Sequence, residues 1–228
     1  SLINVVVEIP TGTLEKWEVN KENGHLELPE IDGIRRVVDY LGYPGNYGMV
    51  PQSLQDPAKG GDGDPLDILI LGPPLTRGSL VECRVIGIIR MLDNGEFDDK
   101  LVALPAKGYL ENVRTMENLE ADYPGMIEIL ALWFKNYKGK GQVEIKSIGE
   151  KEEAFQVLQE AIEAYQKYFP GYPLLDSTQG IYHEFTLGNI EIFMTDGRLS
   201  KDPKFEAFQY DSLTNTWSFN PPPGHSML

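Results

Sequence analysis

Apolar and polar positions change period along this chain, and the changes mark its elements. Residues 79–92 alternate with period two: Val81, Cys83, Val85, Ile89 and Met91 share one face, which predicts a long half-buried strand. Gly87 falls on that same face and predicts a bend or bulge. Residues 4–9 and 14–19 read as two strands around the turn Pro10-Thr11-Gly12-Thr13. The apolar run Ile68-Leu69-Ile70-Leu71 reads as a buried strand, and residues 99–104 and 142–147 as further ones. Many short strands between Gly and Pro turns suggest a closed or partly open barrel.

Two segments carry helical spacing instead. After Asp122-Tyr123-Pro124, residues Ile127, Leu130, Ala131, Phe134 and Tyr137 recur every three or four positions. A second helix is predicted from Lys151 to Phe169, with Phe155, Leu158, Ile162, Tyr165 and Phe169 on one stripe. Pro170-Gly171-Tyr172-Pro173 ends it. Residues beyond have another texture, with strand-like runs at 181–187, 189–195, 205–210 and 215–219 and an extended tail at Pro221-Pro222-Pro223-Gly224. The expected organisation is a main domain over 1–170 and a β-rich extension over 171–228. The extension's strands are too few for a core of their own, so it is expected to pack on the barrel or a neighbouring subunit.

With 228 residues the chain can build one sizeable core. Its net charge of -15, from 35 acidic and 20 basic residues, opposes nucleic acid and anionic membranes at long range. An anionic substrate would therefore need metal ions or a local cationic lining. No apolar run approaches the roughly 20 residues of a membrane span. The single cysteine, Cys83, excludes an intrachain disulfide and reads as core packing.

The chemistry concentrates in Asp62-Gly63-Asp64-Pro65-Leu66-Asp67, where a glycine-containing loop enters the buried run. Carboxylates crowded this closely repel unless a cation lies among them. Oxygen-only donors suit Mg²⁺ or Mn²⁺. An EF-hand loop would need glycine and glutamate where this one has Asp67 and Pro73. A second acidic turn, Asp93-Asn94-Gly95-Glu96-Phe97-Asp98-Asp99, precedes Lys100 and taken alone is only a hairpin. Gly42-Tyr43-Pro44-Gly45-Asn46-Tyr47-Gly48 reads alone as a tight turn with packed aromatics, and Asn136-Tyr137-Lys138 as a helix end with a favourable lysine. His25, His183 and His225 sit in no motif, and Asp176 and Ser177 form no recognisable triad with His183.

In order along the chain stand Glu8 in Val-Glu-Ile-Pro, Lys16 and Glu18 in Glu-Lys-Trp-Glu, an arginine, and Tyr-Pro-Gly-Asn-Tyr-Gly. Then follow Asp-Gly-Asp-Pro-Leu-Asp, the Asp93/Asp98/Lys100 turn and Tyr137-Lys138. From about Val5 to Lys151 this series resembles the family I soluble inorganic pyrophosphatases. The resemblance implies an α+β, mainly β fold: a five-stranded OB-like barrel flanked by two main helices. It implies several Mg²⁺ ions, with Mn²⁺ as a substitute, and hydrolysis of diphosphate to two phosphates. By position, Asp62, Asp67 and Asp98 would ligate the activating metal, with Asp67 shared with a second ion. Asp64 would accept the proton of the attacking water, and Glu18, Asp93 and Asp98 would hold the ions arriving with substrate. Lys16, Arg35, Tyr47, Lys100, Tyr137 and Lys138 would bind phosphate, with Glu8 and Tyr43 in support. The arginine falls on Arg35 by its spacing from Tyr43, with Arg36 adjacent; Asp98 is favoured over Asp99 by its spacing from Asp93 and Lys100.

The resemblance also implies a homo-oligomer, dimer or hexamer, in the cytoplasm; the absent initiator methionine leaves an exported form open. Competing readings are a hydrolase of another small phosphoanhydride, a non-catalytic OB-type binder of single strands, or an inactive relative. The acidic charge and the aspartate clusters oppose the second.

Overall fold

The computed structural model describes residues 2–20 and 24–169, and beyond them the backbone of four strands. The chain divides into two compact units, Ser1–Pro170 and Gly171–Leu228. In the first, β1 (Leu2–Ile9) is followed by two small ladders, β2 (Glu18–Val19) with β3 (Leu26–Glu27) and β4 (Glu30–Ile31) with β5 (Ile34–Arg35). Then come β6 (Asn46–Met49), β7 (Asp67–Ile70), β8 (Leu80–Asp93), β9 (Glu96–Phe97) and β10 (Lys100–Pro105). Helices α1 (Met116–Asp122) and α2 (Met126–Asn136) precede β11 (Val143–Glu150), and α3 (Lys151–Tyr168) ends the unit.

Strands β1, β6, β7, β10 and β8 are hydrogen-bonded in that order, and β8 pairs back to β1, closing a ring of five. Every pairing in the ring is antiparallel except β7 with β10. The fold is thus mainly β, an OB-like ring of five strands with three α-helices among the described residues.

The closure depends on β8, which is long enough to pair with β1, β10 and β11 along successive stretches. Val102 faces Gly87 while Ala103 faces Val85, so Ile86 is an extra residue and the strand bulges there. This corrects the single face expected for Val81 through Met91. Cys83 and Val85 pack with Val5, Val7, Ile68 and Ile70, whereas Ile89 and Met91 pack on the opposite face with Leu69 and Val102. One inserted residue inverts the alternation. The bend sits beside Gly87, where a Cβ would meet Met116 Cγ at 2.2 Å and the Gly149 carbonyl oxygen at 2.6 Å.

The strands read at 4–9 and 14–19 are β1 and the much shorter β2, and they do not pair with each other: β1 pairs with β6 and β8. Past the turn, the chain bonds instead to residues 36–43, through Lys16 N to Arg36 O (2.9 Å), Val38 N to Leu14 O (2.9 Å) and Tyr43 N to Thr13 O (3.1 Å). Helix α1, absent from the sequence expectation, is too short to show a stripe. Thr115 caps it by accepting from Asn118 N, and the Glu150 carboxylate accepts from the amides of Met116 and Glu117. In α3 the buried face is Ala154, Leu158, Ala161 and Ala164; Phe155 and Ile162 lie half-buried at its flank and Phe169 is exposed. Three alanines let the helix lie close against the sheet, which rotates the stripe read from the large residues.

In the second unit β12 (Tyr182–Leu187) pairs with β13 (Ile190–Thr195), and β14 (Phe208–Asp211) with β15 (Thr216–Phe219), both antiparallel, at the strand-like runs of the sequence. The terminator Pro170–Pro173, Asp176, Ser177, the tail 221–224 and His225 lie outside the described residues.

Candidate active site

The parallel pairing of β7 and β10 brings the N-terminal ends of both strands to one place. Asp67 and Lys100 open the two strands in register, Leu69 and Val102 follow on the same face, and all belong to the side on which α1 and α2 pack. Lys100 Nζ lies 2.6 Å from Asp67 Oδ2 and also pairs with Asp98, with only 1 % of its side chain exposed. Burial pulls the ammonium towards its neutral form, but the charges of Asp67 and Asp98 outweigh it and hold Lys100 cationic. The Tyr47 hydroxyl donates to the same Asp67 oxygen at 2.5 Å. Burial, then the nearby charge of Asp67, raises that hydroxyl's pKa, so it stays a neutral donor. Burial likewise raises Tyr43 and Tyr137. Trp133 aligns these rings: Tyr137 stacks on it at 4.6 Å and Tyr43 tilts against it at 4.7 Å, while its Nε1 donates to Leu41 O.

The aspartate loop is pinned at its base. Gln55 N donates to Asp64 O, Gly63 N to Gln55 O and Leu66 N to the buried Ser53 hydroxyl. Asp62 is exposed and accepts from Asp64 N at 2.8 Å; Asp64 itself is half-buried. Phe97 N donates to Gly60 O, and Gly61 bridges to Phe97, so the second acidic turn is tied to the first. At that turn Asp93 pairs with Lys138 from the end of α2. Asp98 and Asp99 diverge: Asp98 joins Lys100, whereas Asp99 accepts from Met91 N and pairs with Arg90 at 2.8 Å, and Arg90 reaches Glu153 on α3.

A third group comes from β1 and the arm after it. Val7 faces Gly48 and Ile9 faces Tyr47, so Glu8 is a bulged residue. Its carboxylate accepts from Val19 N at 2.8 Å, and burial pushes its pKa up to about 7. Lys16 Nζ lies 2.7 Å from Glu18 Oε1, to which Arg36 Nη1 also donates, at 2.8 Å. Arg35, the expected arginine, does not join this group: 70 % exposed, it lies 4.0 Å from Glu30 in the β4–β5 ladder. The backbone of residues 12–16 pairs with 36–43, and this register presents Arg36. Spacing along the chain leaves the two arginines side by side, and only the register between distant segments separates them.

Acids and cations alternate throughout this cluster: Lys100 with Asp67 and Asp98, Lys138 with Asp93, Lys16 and Arg36 with Glu18. Among the described residues no three carboxylate, histidine or cysteine side chains converge tightly enough to hold an ion as they stand. The donor set of Glu18, Asp62, Asp67, Asp93 and Asp98 is nonetheless all oxygen and suits a hard divalent cation. Aspartates and lysines sharing one end of a barrel, lined by neutral tyrosine hydroxyls, suit a polyanion that arrives with metal.

A profile of the inorganic pyrophosphatase family matches residues 5–166. The chain belongs to that family. Inorganic pyrophosphatase from Neisseria meningitidis serogroup B is 35% identical over 169 residues, covering 73% of this chain and 90% of that protein. The Haemophilus influenzae enzyme of the same name is 34% identical over 171 residues, with the same coverage. Among solved structures, inorganic pyrophosphatase from Neisseria gonorrhoeae superposes with a TM-score of 0.60 at 34% identity, over 72% of this chain and 91% of that one. That from Schistosoma japonicum gives 0.69 at 30% identity, over 73% and 66%. The pyrophosphatase match ends before the second unit. No helix among the described residues is long and apolar enough to cross a membrane.

Proposed function

We propose that this chain is an inorganic diphosphatase that hydrolyses diphosphate to two phosphates with Mg²⁺, Mn²⁺ serving as a substitute. The observation that carries the reading is the buried Lys100 held between Asp67 and Asp98, in a chain of the pyrophosphatase family. Asp62, Asp67 and Asp98 would hold the activating ion, and Glu18, Asp93 and Asp98 the ions that come with substrate. When bound, such ions lower the pKa of the attacking water and offset charge on the leaving oxygen. Asp64 takes the water's proton as the new P–O bond forms and the bridging P–O bond breaks. The proton then passes to the departing phosphate. Lys16, Arg36, Lys100 and Lys138 grip phosphate oxygens, and Tyr47 and Tyr137 donate to them without adding charge. Such chemistry asks the protein for position and charge rather than covalent help. The resemblance supports a homo-oligomer in the cytoplasm.

The test is phosphate release from diphosphate with and without Mg²⁺, beside Asp64→Asn. Release should require Mg²⁺ and fall by about two to four orders of magnitude in the variant, the range lost with a general base. No release by folded, metal-loaded protein overturns the reading.

A further inference from the structure

We propose that Arg77 is a positioning residue of this site, acting through Trp17 and Glu15 on the arm that carries Lys16 and Glu18. The proposal rests on the function proposed above. The arm lies outside the ring, and its backbone is held by the Glu15–Val37 bridge, which is made of the bonds from Lys16 N to Arg36 O and from Val38 N to Leu14 O, and by the two-residue ladder of β2 with β3. Arg77 belongs to a turn fixed to β1, since Gly78 N donates to Val7 O at 2.7 Å and Val7 N to Ser79 O at 3.0 Å. From there its side chain reaches three partners. Nε donates to the Glu8 carbonyl oxygen at 3.1 Å. The guanidinium lies 4.4 Å from the centre of the Trp17 ring. Nη2 lies 3.7 Å from Glu15 Oε2, which accepts from Trp17 Nε1 at 2.9 Å.

One planar cation thus stacks on the ring and meets the carboxylate that the ring's own N–H engages. A tight turn centred on Lys16, closed by Trp17 N donating to Glu15 O at 3.1 Å, keeps the Glu15 and Trp17 side chains together. Glu15 and Trp17 are taken by Arg77, and Lys16 and Glu18, between and beyond them, pair with each other at 2.7 Å. Glu8 completes the hold, because its backbone oxygen takes Arg77 Nε while its carboxylate takes Val19 N. Arg77 therefore fixes where a phosphate-binding lysine and a metal-binding glutamate stand. The partners that Arg77 reaches are Glu8, Trp17 and Glu15, none of them a group assigned to the attacking water, so its loss weakens binding and spares the chemical step.

The test compares full-length protein with Arg77→Gln and Arg77→Lys, and repeats Arg77→Gln in a Lys16→Met background. Arg77→Gln should raise KM for diphosphate about five- to tenfold with little change in kcat, the pattern of lost uniform binding. Arg77→Lys keeps a charge over Trp17 and should recover part of that loss. In the Lys16→Met background Arg77→Gln should add much less, because both changes act on one element. An unchanged KM, or an equal rise with and without Lys16, overturns the proposal. A second readout needs no turnover: in protein labelled with 5-fluorotryptophan, the Trp17 resonance, assigned by Trp17→Phe, should shift or broaden in Arg77→Gln while the other two tryptophans stay in place. An unmoved Trp17 signal overturns the clamp. Wild-type protein inactive on diphosphate sinks the proposed function instead, and the fluorine spectrum alone then decides whether Arg77 holds the arm.

Discussion

Lys100 and Asp67 face each other at the first positions of the parallel strands in the barrel, Nζ to Oδ2 at 2.6 Å, with the lysine side chain fully buried. Antiparallel strands would place their first residues at opposite ends of the pair. A parallel pair aligns them, and so one end of the barrel receives both the acid and the base. The second carboxylate, Asp98, arrives because the turn before β10 begins only two residues ahead of Lys100.

Removing the buried cation should therefore cost more than activity. Lys100→Met leaves Asp67 and Asp98 facing each other without their shared counter-charge. Breaking a buried ion pair from one side costs about 3 to 5 kcal/mol. Urea unfolding of metal-free protein should show a loss of that order together with lost diphosphate hydrolysis. An unchanged midpoint would mean that the lysine contributes nothing to the fold.

Glu8 should make stability depend on pH. Its carboxyl is raised from 4.5 to about 7, chiefly by burial. At pH below 4.5 the group is protonated in both folded and unfolded chains and has no effect. Between 4.5 and 7 only the unfolded chain ionises, so stability falls as pH rises, and above 7 the loss is constant. A gap of that size is worth about 3 kcal/mol. Glu8→Gln keeps an oxygen for Val19 N and carries no charge. Without metal it should be more stable than wild type at pH 8, with the difference vanishing near pH 4.5. Equal midpoints at pH 8 would contradict the assignment.

Gly48 illustrates a sequence feature with a steric cause. A Cβ on it would lie 2.0 Å from the Val6 carbonyl oxygen across the β1–β6 ladder. The obstacle is backbone and cannot rotate away, so Gly48→Ala must part the strands beside Tyr47. Overpacking of this kind costs about 1 to 3 kcal/mol, or more when backbone must move. Thermal unfolding and turnover should both suffer, and a variant with normal values for both would refute the contact.

Much of this was legible in the sequence, for reasons particular residues make plain. The aspartate loop needs only local order, so Asp62 through Asp67 could be read directly. The strand alternation before Ile86 was readable too, but a single inserted residue reversed the remainder. Short α1 has one cap and no stripe. The alanine face of α3 was hidden because alanine carries little apolar weight. Spacing from Tyr43 points to Arg35, whereas the arginine that reaches Glu18 is set by pairing between distant segments, which spacing along the chain does not encode.

The two arginines can be told apart by function. Arg36 donates to Glu18 at 2.8 Å, and Arg35 lies in the exposed ladder near Glu30. A hydrogen bond between charged groups is worth about 1.5 to 3 kcal/mol. Arg36→Gln should then lower kcat/KM for diphosphate about 10- to 100-fold. Arg35→Gln should leave it unchanged. The reverse ranking in steady-state kinetics would restore Arg35.

Asp98 and Asp99 offer the sharpest separation of fold from chemistry, because neighbouring residues on one turn serve different ends. Asp98 joins Lys100 at the barrel end. Asp99, 4 % exposed, accepts from Met91 N at 3.1 Å and pairs with Arg90 at 2.8 Å, and Arg90 carries the link to Glu153. Burial raises the Asp99 pKa in spite of Arg90, so the protein bears part of the cost of keeping that group charged. Asp99→Asn keeps an oxygen for Met91 N but loses the ion pair with Arg90, the residue whose other pair, to Glu153, ties β8 to α3. It should lower stability by about 1 to 3 kcal/mol, the cost of leaving buried polar groups poorly matched, while kcat/KM holds. Asp98→Asn should do the opposite, abolishing most hydrolysis and shifting the Mg²⁺ concentration needed for half-activity. If Asp99→Asn proves the inactive one, the register of the turn is off by one residue and the metal-binding role passes to Asp99.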